Sequence, residues 1–225
     1  IALIDASLQS NGLTDGTLPF MHRTEPHGLS GFHVPDLYGR RVLITGASSG
    51  LGLGVARLFA SRRATVLVTA RDAAKCVATV DALRAHAGRD SDVACIEMDL
   101  LNLTSIDTAS IEVGHHIGAL DWLVLNAGIM NPPTLELSDD TSLEIQFQTN
   151  HLGHFLLLHR MLPLLLRTRR TAPRVVAVSS LAHWFAPSTP LLTREALNDA
   201  KGYNGWTWYG WSKLCNILMA AELNR

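Results

Sequence analysis

A tyrosine and a lysine stand four positions apart near the end of the chain, in the stretch WTWYGWSKLCN. On a helix, Tyr209 and Lys213 would lie about one turn apart on the same face. A phenol is a poor proton relay at neutral pH, but a neighbouring ammonium group favours the phenolate. The pair could therefore do acid–base chemistry, with Tyr209 moving a proton and Lys213 supplying the charge. Most pairs at this spacing are ordinary core or surface residues, so the assignment needs support from the rest of the chain.

A second stretch with chemical potential is the glycine-rich sequence LITGASSGLG, which joins an apolar run to a helical pattern. Gly46, Gly50 and Gly52 have the spacing Gly-x3-Gly-x-Gly. The first glycine permits a tight turn, the second lets the backbone approach a pyrophosphate, and the third lets helix and strand pack closely. The helix that follows presents unpaired N–H groups to the anion. The stretch predicts a nucleotide-binding turn; the alternative is a purely structural glycine turn.

The elements that would position these residues alternate along the chain. Continuous apolar runs, typical of strands covered on both faces, lie at 40–46, 64–71, 92–100, 120–128 and 173–180. Helical patterns lie at 51–63, 73–87, 104–117, 141–168 and from about 206 to the end. This alternation predicts an α/β fold, a doubly wound parallel sheet of the Rossmann type with helices on both faces. We expect that domain over 37–225, preceded by an irregular N-terminal arm over 1–36 that is rich in Gly and Pro.

Composition fits one globular domain and argues against several other classes of protein. The 225 residues are 47% apolar and 17% charged, with a net charge of −1, which excludes a disordered chain. Basic residues are scattered, so no nucleic-acid partner is expected. No apolar run is long enough to span a membrane. No acid or cysteine completes a ligand set around the histidines, so no metal site is expected.

The three cysteines, Cys76, Cys95 and Cys215, are odd in number and far apart in the sequence. This pattern argues against a disulfide framework. It favours an intracellular reducing compartment, either the cytoplasm or an organelle.

A series of motifs resembles the short-chain dehydrogenase/reductase family. The glycine turn matches the family pattern TGxxxGxG, and YGWSK matches YxxxK. Between them, in the family's order, stand MDLLNLTS with Asp99, LNAG with Asn126, QTNHLGHF with Asn150 and VAVSS with Ser180. The resemblance covers about residues 38–225. Within the family, the chain looks most like the retinol dehydrogenase, WW-domain oxidoreductase and protochlorophyllide reductase branch.

The resemblance implies a nicotinamide cofactor and a set of site residues. It implies that Asn150, Ser180, Tyr209 and Lys213 are catalytic. Ser180 would donate a hydrogen bond to the carbonyl oxygen, and Asn150 would hold a water that links Lys213 to solvent. The implied cofactor-binding residues are Gly46, Ser48, Ser49, Gly50, Leu51, Gly52, Arg71, Asp99, Leu100, Asn126, Ala127, Gly128, Tyr209 and Lys213.

The sequence TARD, at the end of the second predicted strand, bears on which nicotinamide is used. An acid at this strand end binds the ribose 2′-hydroxyl of NAD, whereas an arginine can accept the 2′-phosphate of NADP. Arg71 follows the place where the acid would stand, so we predict NADP. Asp72 comes one position later and is expected to cap the next helix. A shift of the alignment by one residue would favour NAD instead.

The long segment between Ser180 and Tyr209 carries Trp184, Phe185, Trp206 and Trp208. These aromatic residues predict an apolar wall for a bulky hydrophobic substrate; the alternative is that they form local core. We therefore expect an NADP-dependent oxidoreductase that acts on a carbonyl or alcohol of a hydrophobic small molecule.

A rival hypothesis is an accessory or structural subunit of a larger assembly that retains the fold, since fold alone does not fix function. Its motivation is the N-terminal arm and the end of the chain at Arg225, where the family continues with further strands. We expect those strands to belong to a longer protein rather than to have been lost in a truncated paralogue, because a missing sheet edge would expose backbone. Association with a membrane surface, with a larger complex or as a homo-oligomer is left open.

Overall fold

Six strands form one sheet in the computed structural model, which describes residues 3–7, 34–169, 172–189, 191 and 193–225. The strands are β1 (Leu3–Ser7), β2 (Arg41–Thr45), β3 (Thr65–Ala70), β4 (Val93–Glu97), β5 (Trp122–Leu125) and β6 (Arg174–Val178). Their order across the sheet is β1-β6-β5-β2-β3-β4. Strands β2 to β6 pair in parallel, and β1 pairs antiparallel with β6. The predicted doubly wound parallel sheet is therefore confirmed, with one antiparallel strand added.

In the part of the chain that the structure describes, seven α-helical segments lie between and after the strands. They are α1 (Gly50–Ser61), α2 (Ala73–Ala87), α3 (Leu103–His116), α4 (Ile145–Phe147), α5 (Gly153–Leu166), α6 (Arg194–Leu197) and α7 (Gly205–Leu223). A π-helical segment, Gln148–Leu152, joins α4 to α5. A 3₁₀ turn, Leu181–Phe185, follows β6. No helix among the described residues is long and apolar enough to cross a membrane.

The core lies on both faces of the sheet because successive strand residues point in opposite directions. Leu43 and Leu123 belong to an apolar cluster shared with α3, α5 and α7. Their neighbours Ile44 and Val124 belong to a second cluster, shared with α1 and α2. Burial on both faces explains why the strand sequences are continuously apolar rather than alternating.

The long helix predicted over 141–168 begins later, at Ile145. Ser142 has a left-handed backbone with φ of 54°, which a right-handed helix cannot include. The Glu144 carboxylate accepts the Phe147 N–H at 2.8 Å and so caps the first turn. The predicted irregular arm contains the strand Leu3–Ser7 in the part that the structure describes; residues 1–2 and 8–33 of the arm lie outside the described residues.

The expectation that the cysteines form no disulfide is wrong. Cys76 on α2 and Cys95 on β4 are bonded, with an Sγ–Sγ distance of 2.04 Å. The connection β3–α2–β4 lays the helix against the edge strand and brings the two side chains together. Their separation along the sequence gave no sign of this contact. Cys215 is free and buried.

Candidate active site

A cleft of about 710 Å³ lies at the carboxyl ends of the parallel strands. The chain runs outward from β2 through β3 to β4, and then resumes on the other side of β2 with β5 and β6. Such a reversal of strand order leaves a crevice in which open α/β sheets bind their ligands. Every predicted cofactor-binding residue except Tyr209 and Lys213 lines this cleft.

The glycine turn packs directly against the turn that follows β5. A Cβ atom on Gly46 would lie 2.7 Å from the Cα atom of Ala127, and one on Gly52 would lie 2.5 Å from the Asn126 amide nitrogen. Gly46 and Gly50 have φ angles of 65° and 56°, which favour glycine. The Asn126 amide also donates to the carbonyl oxygens of Thr45 and Gly46, at 2.9 and 3.1 Å. These contacts hold the two turns together at the cleft.

The first turn of α1 fits the pyrophosphate of a dinucleotide. Helices α2, α3 and α7 each begin with a side chain, from Asp72, Asn102 or Asn204, that accepts a first-turn N–H. At α1 the corresponding residue, Ser49, makes no such bond, and the first turn contains no acidic side chain. The residues of this first turn, Gly50, Leu51 and Gly52, line the cleft, so their N–H groups are available to an anion there.

Basic side chains that follow β3 line the same cleft. Arg71 lines it, whereas Asp72 does not. The Asp72 carboxylate accepts the Lys75 N–H at 2.8 Å, which confirms the predicted helix cap. That hydrogen bond also holds the pKa of Asp72 below its usual value. Lys75 lines the cleft as well and was missed by sequence reasoning; its place in the first turn after Arg71 was the available signal.

The predicted catalytic residues come from three distant segments, and two of them, Asn150 and Lys213, lie beside Gly128. Lys213 is 4% exposed, and its Nζ donates to the Val178 carbonyl at 3.2 Å. The same Nζ lies 5.5 Å from the centroid of the Tyr209 ring. A Cβ on Gly128 would lie 3.3 Å from this Nζ and 3.0 Å from the Asn150 side-chain oxygen. Burial lowers the pKa of Lys213 to about 8.

Ser180 stands at the start of the 3₁₀ turn after β6. Its hydroxyl accepts the Ala182 N–H at 3.2 Å. Helix α7 approaches this turn so closely that a Cβ on Gly210 would lie 2.4 Å from the Ala182 carbonyl oxygen. The neighbouring Ser179 hydroxyl donates to the Lys213 carbonyl at 2.9 Å. These contacts fasten the segment of Ser180 to the helix that carries Tyr209.

Asn150 is fully buried in the π-helical segment. Its amide accepts the Ile129 N–H at 2.8 Å and donates to the Ile129 carbonyl and the Ser212 hydroxyl, both at 3.0 Å. Its main-chain oxygen accepts from His154 Nδ1 and from the Asn216 amide, both at 3.0 Å. Asn150 thus ties the loop after β5 to α7. The water that it was expected to hold stays a prediction.

The aromatic residues predicted to form an apolar wall lie in different environments. Trp184 and Phe185 are exposed, and a groove of about 550 Å³ is lined by Phe185, Asn204, Trp206 and Thr207. The Trp206 ring lies 6.3 Å from the Tyr209 ring. Trp208 is not part of the wall. It is buried, and its Nε1 donates to the Leu197 carbonyl at 2.7 Å, which makes it local core.

Comparison with known proteins agrees with this geometry. A family model described as short chain dehydrogenase matches residues 40–188. The chain is 36% identical over 199 residues to retinol dehydrogenase 14 of Mus musculus, covering 84% of this chain and 57% of the relative. It is 35% identical over 200 residues to the short-chain dehydrogenase/reductase drtF of Aspergillus calidoustus, covering 86% and 62%. The chain therefore spans about three fifths of the length of these relatives.

Solved structures are also similar to this chain. An uncharacterised protein from Mycobacterium paratuberculosis has a TM-score of 0.69 and 38% identity, covering 84% of this chain and 63% of that one. A complex of Pseudomonas aeruginosa RhlG with NADP has a TM-score of 0.63 and 27% identity, covering 84% and 67%. The family match covers the glycine turn, the β5 turn and Ser180, and the relatives extend it over most of the chain. The chain belongs to the short-chain dehydrogenase/reductase family.

Proposed function

We propose that this chain forms the cofactor and proton-transfer part of an NADP-dependent oxidoreductase. The enzyme interconverts a carbonyl and an alcohol of a hydrophobic small molecule. The observation that supports this most is the buried Lys213 ammonium beside the ring of Tyr209, next to the turn that lines the dinucleotide cleft. Burying a charge is costly unless the charge is paired and hydrogen-bonded, and among the described hydrogen bonds the Lys213 Nζ donates only to the Val178 carbonyl.

The dinucleotide, when bound, supplies or accepts the hydride. Negative charge then develops on the substrate oxygen during reduction, and Tyr209 donates the proton that neutralises it. Lys213 stabilises the phenolate left on Tyr209 through its positive charge. The Ser180 hydroxyl donates a hydrogen bond to the same substrate oxygen and orients it. In the oxidative direction, Tyr209 takes the proton instead.

Replacing Tyr209 by Phe tests this assignment, because the change removes only the phenolic oxygen. We expect carbonyl-dependent NADPH oxidation to fall by at least about 100-fold, with NADPH binding retained. The exposed Tyr38, changed to Phe, is the matched control and should leave the rate unchanged. A rate that survives Tyr209→Phe, or a wild-type protein inactive on aldehydes, ketones and retinoids, would instead favour an accessory subunit.

The preference for NADP is supported by Arg71 and Lys75 at the rim of the cleft. It is also supported by the relative RhlG, whose structure holds NADP. Arg71→Gln should raise the dissociation constant of NADPH about tenfold or more while changing that of NADH little, because only NADPH carries the 2′-phosphate. Arg84→Gln, at the far end of α2, makes the same charge change away from the cleft. Equal effects on both dinucleotides would contradict the preference.

The hydrophobic substrate is supported by the groove between Phe185 and Trp206, which lies beside Tyr209. A relative named retinol dehydrogenase points the same way. We expect Trp206→Ala to raise KM for a long-chain aldehyde by about tenfold, through lost apolar contact. The KM for a short aldehyde should change little. Loss of both activities to the same degree would contradict a role in substrate binding.

A further inference from the structure

His154 is a fully buried histidine close to the site, and the chemistry above does not use it. It lies on α5, four residues after Asn150. Its Nε2 is 2.8 Å from the Thr45 hydroxyl, at the end of β2. Its Nδ1 is 3.0 Å from the main-chain oxygen of Asn150. The ring therefore bridges the strand that leads into the glycine turn and the π-helical segment beside Lys213.

The partners of the ring determine where its proton lies. A carbonyl oxygen only accepts hydrogen bonds, so Nδ1 must carry the proton and donate it to Asn150. The Nε2 of a neutral ring then accepts, and the Thr45 hydroxyl donates to it. This leaves the lone pairs of the Thr45 oxygen for the N–H groups of Asn126 and Ala127, at 2.9 and 3.0 Å. The Thr45 oxygen also lies 3.5 Å from the Val124 carbonyl oxygen, but Nε2 is nearer, at 2.8 Å, and accepts the single hydroxyl proton. One arrangement therefore satisfies both ring nitrogens and the Thr45 hydroxyl.

The environment of the ring keeps it neutral. Burial lowers the pKa of His154 to about 3, and the nearby charge of Lys213 acts in the same direction. In a protonated ring, Nε2 would also carry a proton and would point it at the Thr45 oxygen. That oxygen already accepts two N–H groups. The neutral ring with the proton on Nδ1 is therefore the form that fits the site.

Both ends of the bridge contact the candidate active site. On one side, Thr45 holds the turn of Asn126 and Ala127, which lines the cleft. On the other side, the Asn150 oxygen also accepts from the Asn216 amide on α7. Asn216 further donates to the Val178 carbonyl at 3.4 Å, the same oxygen that Lys213 contacts. The hydrogen bonds thus run without a break from the cleft to the helix that carries Lys213.

We propose that His154 is a positioning residue that sets the distance between the cofactor-lining turn after β5 and the helical segment beside Lys213. It does so as the neutral Nδ1–H tautomer, with Thr45 and Asn150 as its two partners. The kinetic consequence of this inference rests on the proposed oxidoreductase function. The tautomer and the hydrogen bonds do not.

The tautomer is measured by ¹⁵N NMR of the histidine ring in the intact protein. We expect a protonated Nδ1 and an unprotonated Nε2 for His154 across the neutral pH range. A ring protonated on Nε2, or on both nitrogens, overturns the inference whether or not the protein turns over a substrate.

Positioning is tested by His154→Leu, which removes both hydrogen bonds. We expect kcat to fall about 10-fold to 100-fold, because small displacements of reacting groups have effects of this size, while KM for the carbonyl substrate changes less. His154→Gln should recover most of the loss, since its amide offers an acceptor and a donor on one planar group. His159→Leu, at an exposed position on the same helix, is the matched control and should have no effect.

Two results would prevent the kinetic test, namely a variant that does not fold and a wild type without turnover, and each has another measurement in its place. If His154→Leu does not fold, His154→Phe, which keeps a ring but loses both hydrogen bonds, is combined with Thr45→Val, and their effects on the free energy of unfolding should be non-additive; additive effects overturn the inference. If the wild type has no turnover, the proposed function fails and the NADPH dissociation constant becomes the readout. It should then rise in the folded His154 variant, and an unchanged constant overturns the inference.

Discussion

Lys213 carries an ammonium group into an almost fully buried position on α7, where its Nζ contacts the Val178 carbonyl. Burial disfavours the charged form, which is why its pKa falls to about 8. At Lys213, the folded chain is therefore less protonated than the unfolded chain between about pH 8 and about pH 10.5. Because the unfolded state holds this extra proton, the contribution of Lys213 to the free energy of unfolding rises with pH across this window. Burial raises the pKa of the Cys215 thiol to about 12, and this group acts in the opposite direction above about pH 9.

In the absence of cofactor, we expect Lys213 to contribute a rise of about 2–3 kcal/mol in the free energy of unfolding across that window. Chemical denaturation at several pH values measures it. The rise should be missing from Lys213→Met, which lacks the titrating group, and present in Lys201→Met, which changes an exposed lysine. Parallel pH profiles for the wild type and Lys213→Met would show that Lys213 is not the group responsible.

Single residues were predicted well where their role follows from a local pattern. Asp72 caps α2 as expected, since a cap depends only on the few residues that follow it. Trp208 was predicted to belong to the substrate wall, with local core as the alternative, and the structure shows local core. The sequence gives the aromatic type and its approximate place in a helix. The side of the helix that meets Leu197 depends on the path of the preceding loop.

Among the elements, the glycine turn and α1 pack closely against the turn after β5 at Gly52. A Cβ on Gly52 would lie 2.5 Å from both the Asn126 amide nitrogen and the Gly46 carbonyl oxygen. On the same helix, a Cβ on Gly54 would meet nothing within 4 Å. The two glycines are thus alike in sequence context and opposite in environment.

We expect Gly52→Ala to lower the free energy of unfolding by about 1–3 kcal/mol and to weaken dinucleotide binding, because the turn after β5 must move. Gly54→Ala should be neutral or stabilise the chain by up to about 1 kcal/mol, through better helix propensity. Thermal unfolding with and without NADPH measures both effects. Similar effects from the two substitutions would contradict the assignment of close packing to Gly52.

The helix after β5 was predicted only in part from the sequence. Its apolar spacing predicted a continuous helix, and most of that helix is present. The late start at Ile145 and the π-helical segment Gln148–Leu152 had no signal in the apolar pattern. The late start follows from the left-handed backbone of Ser142. The π-helical segment depends on distant partners, since the Asn150 side chain is held by Ile129 and Ser212.

At the scale of the whole molecule, the disulfide Cys76–Cys95 joins α2 to the edge strand β4. Cys76 directly follows Lys75, which lines the cleft. A cross-link between these segments restricts the unfolded chain and so stabilises the folded one. We expect reduction by dithiothreitol to lower the free energy of unfolding of the wild type by about 2–4 kcal/mol.

The variant Cys76→Ser, which cannot form the bond, should lose this stability and show no further response to the reductant. Cys215 is free and buried, so it contributes nothing to the difference. Denaturant titrations in paired oxidising and reducing buffers provide the comparison. An identical midpoint for the wild type in both buffers would mean that the bond is absent in solution or does not stabilise the fold.

The sequence by itself determined the order of strands and helices, the glycine turn after the first parallel strand, and the residue types of the candidate site. Apolar periodicity, glycine spacing and helix caps act over a few neighbouring residues, so they can be recognised without coordinates. Only the tertiary structure decided the Cys76–Cys95 bond, the antiparallel strand Leu3–Ser7 beside β6, and the bridge through His154. Each of these joins segments far apart in the chain, and which surfaces face each other is settled only when the sheet and its helices pack together.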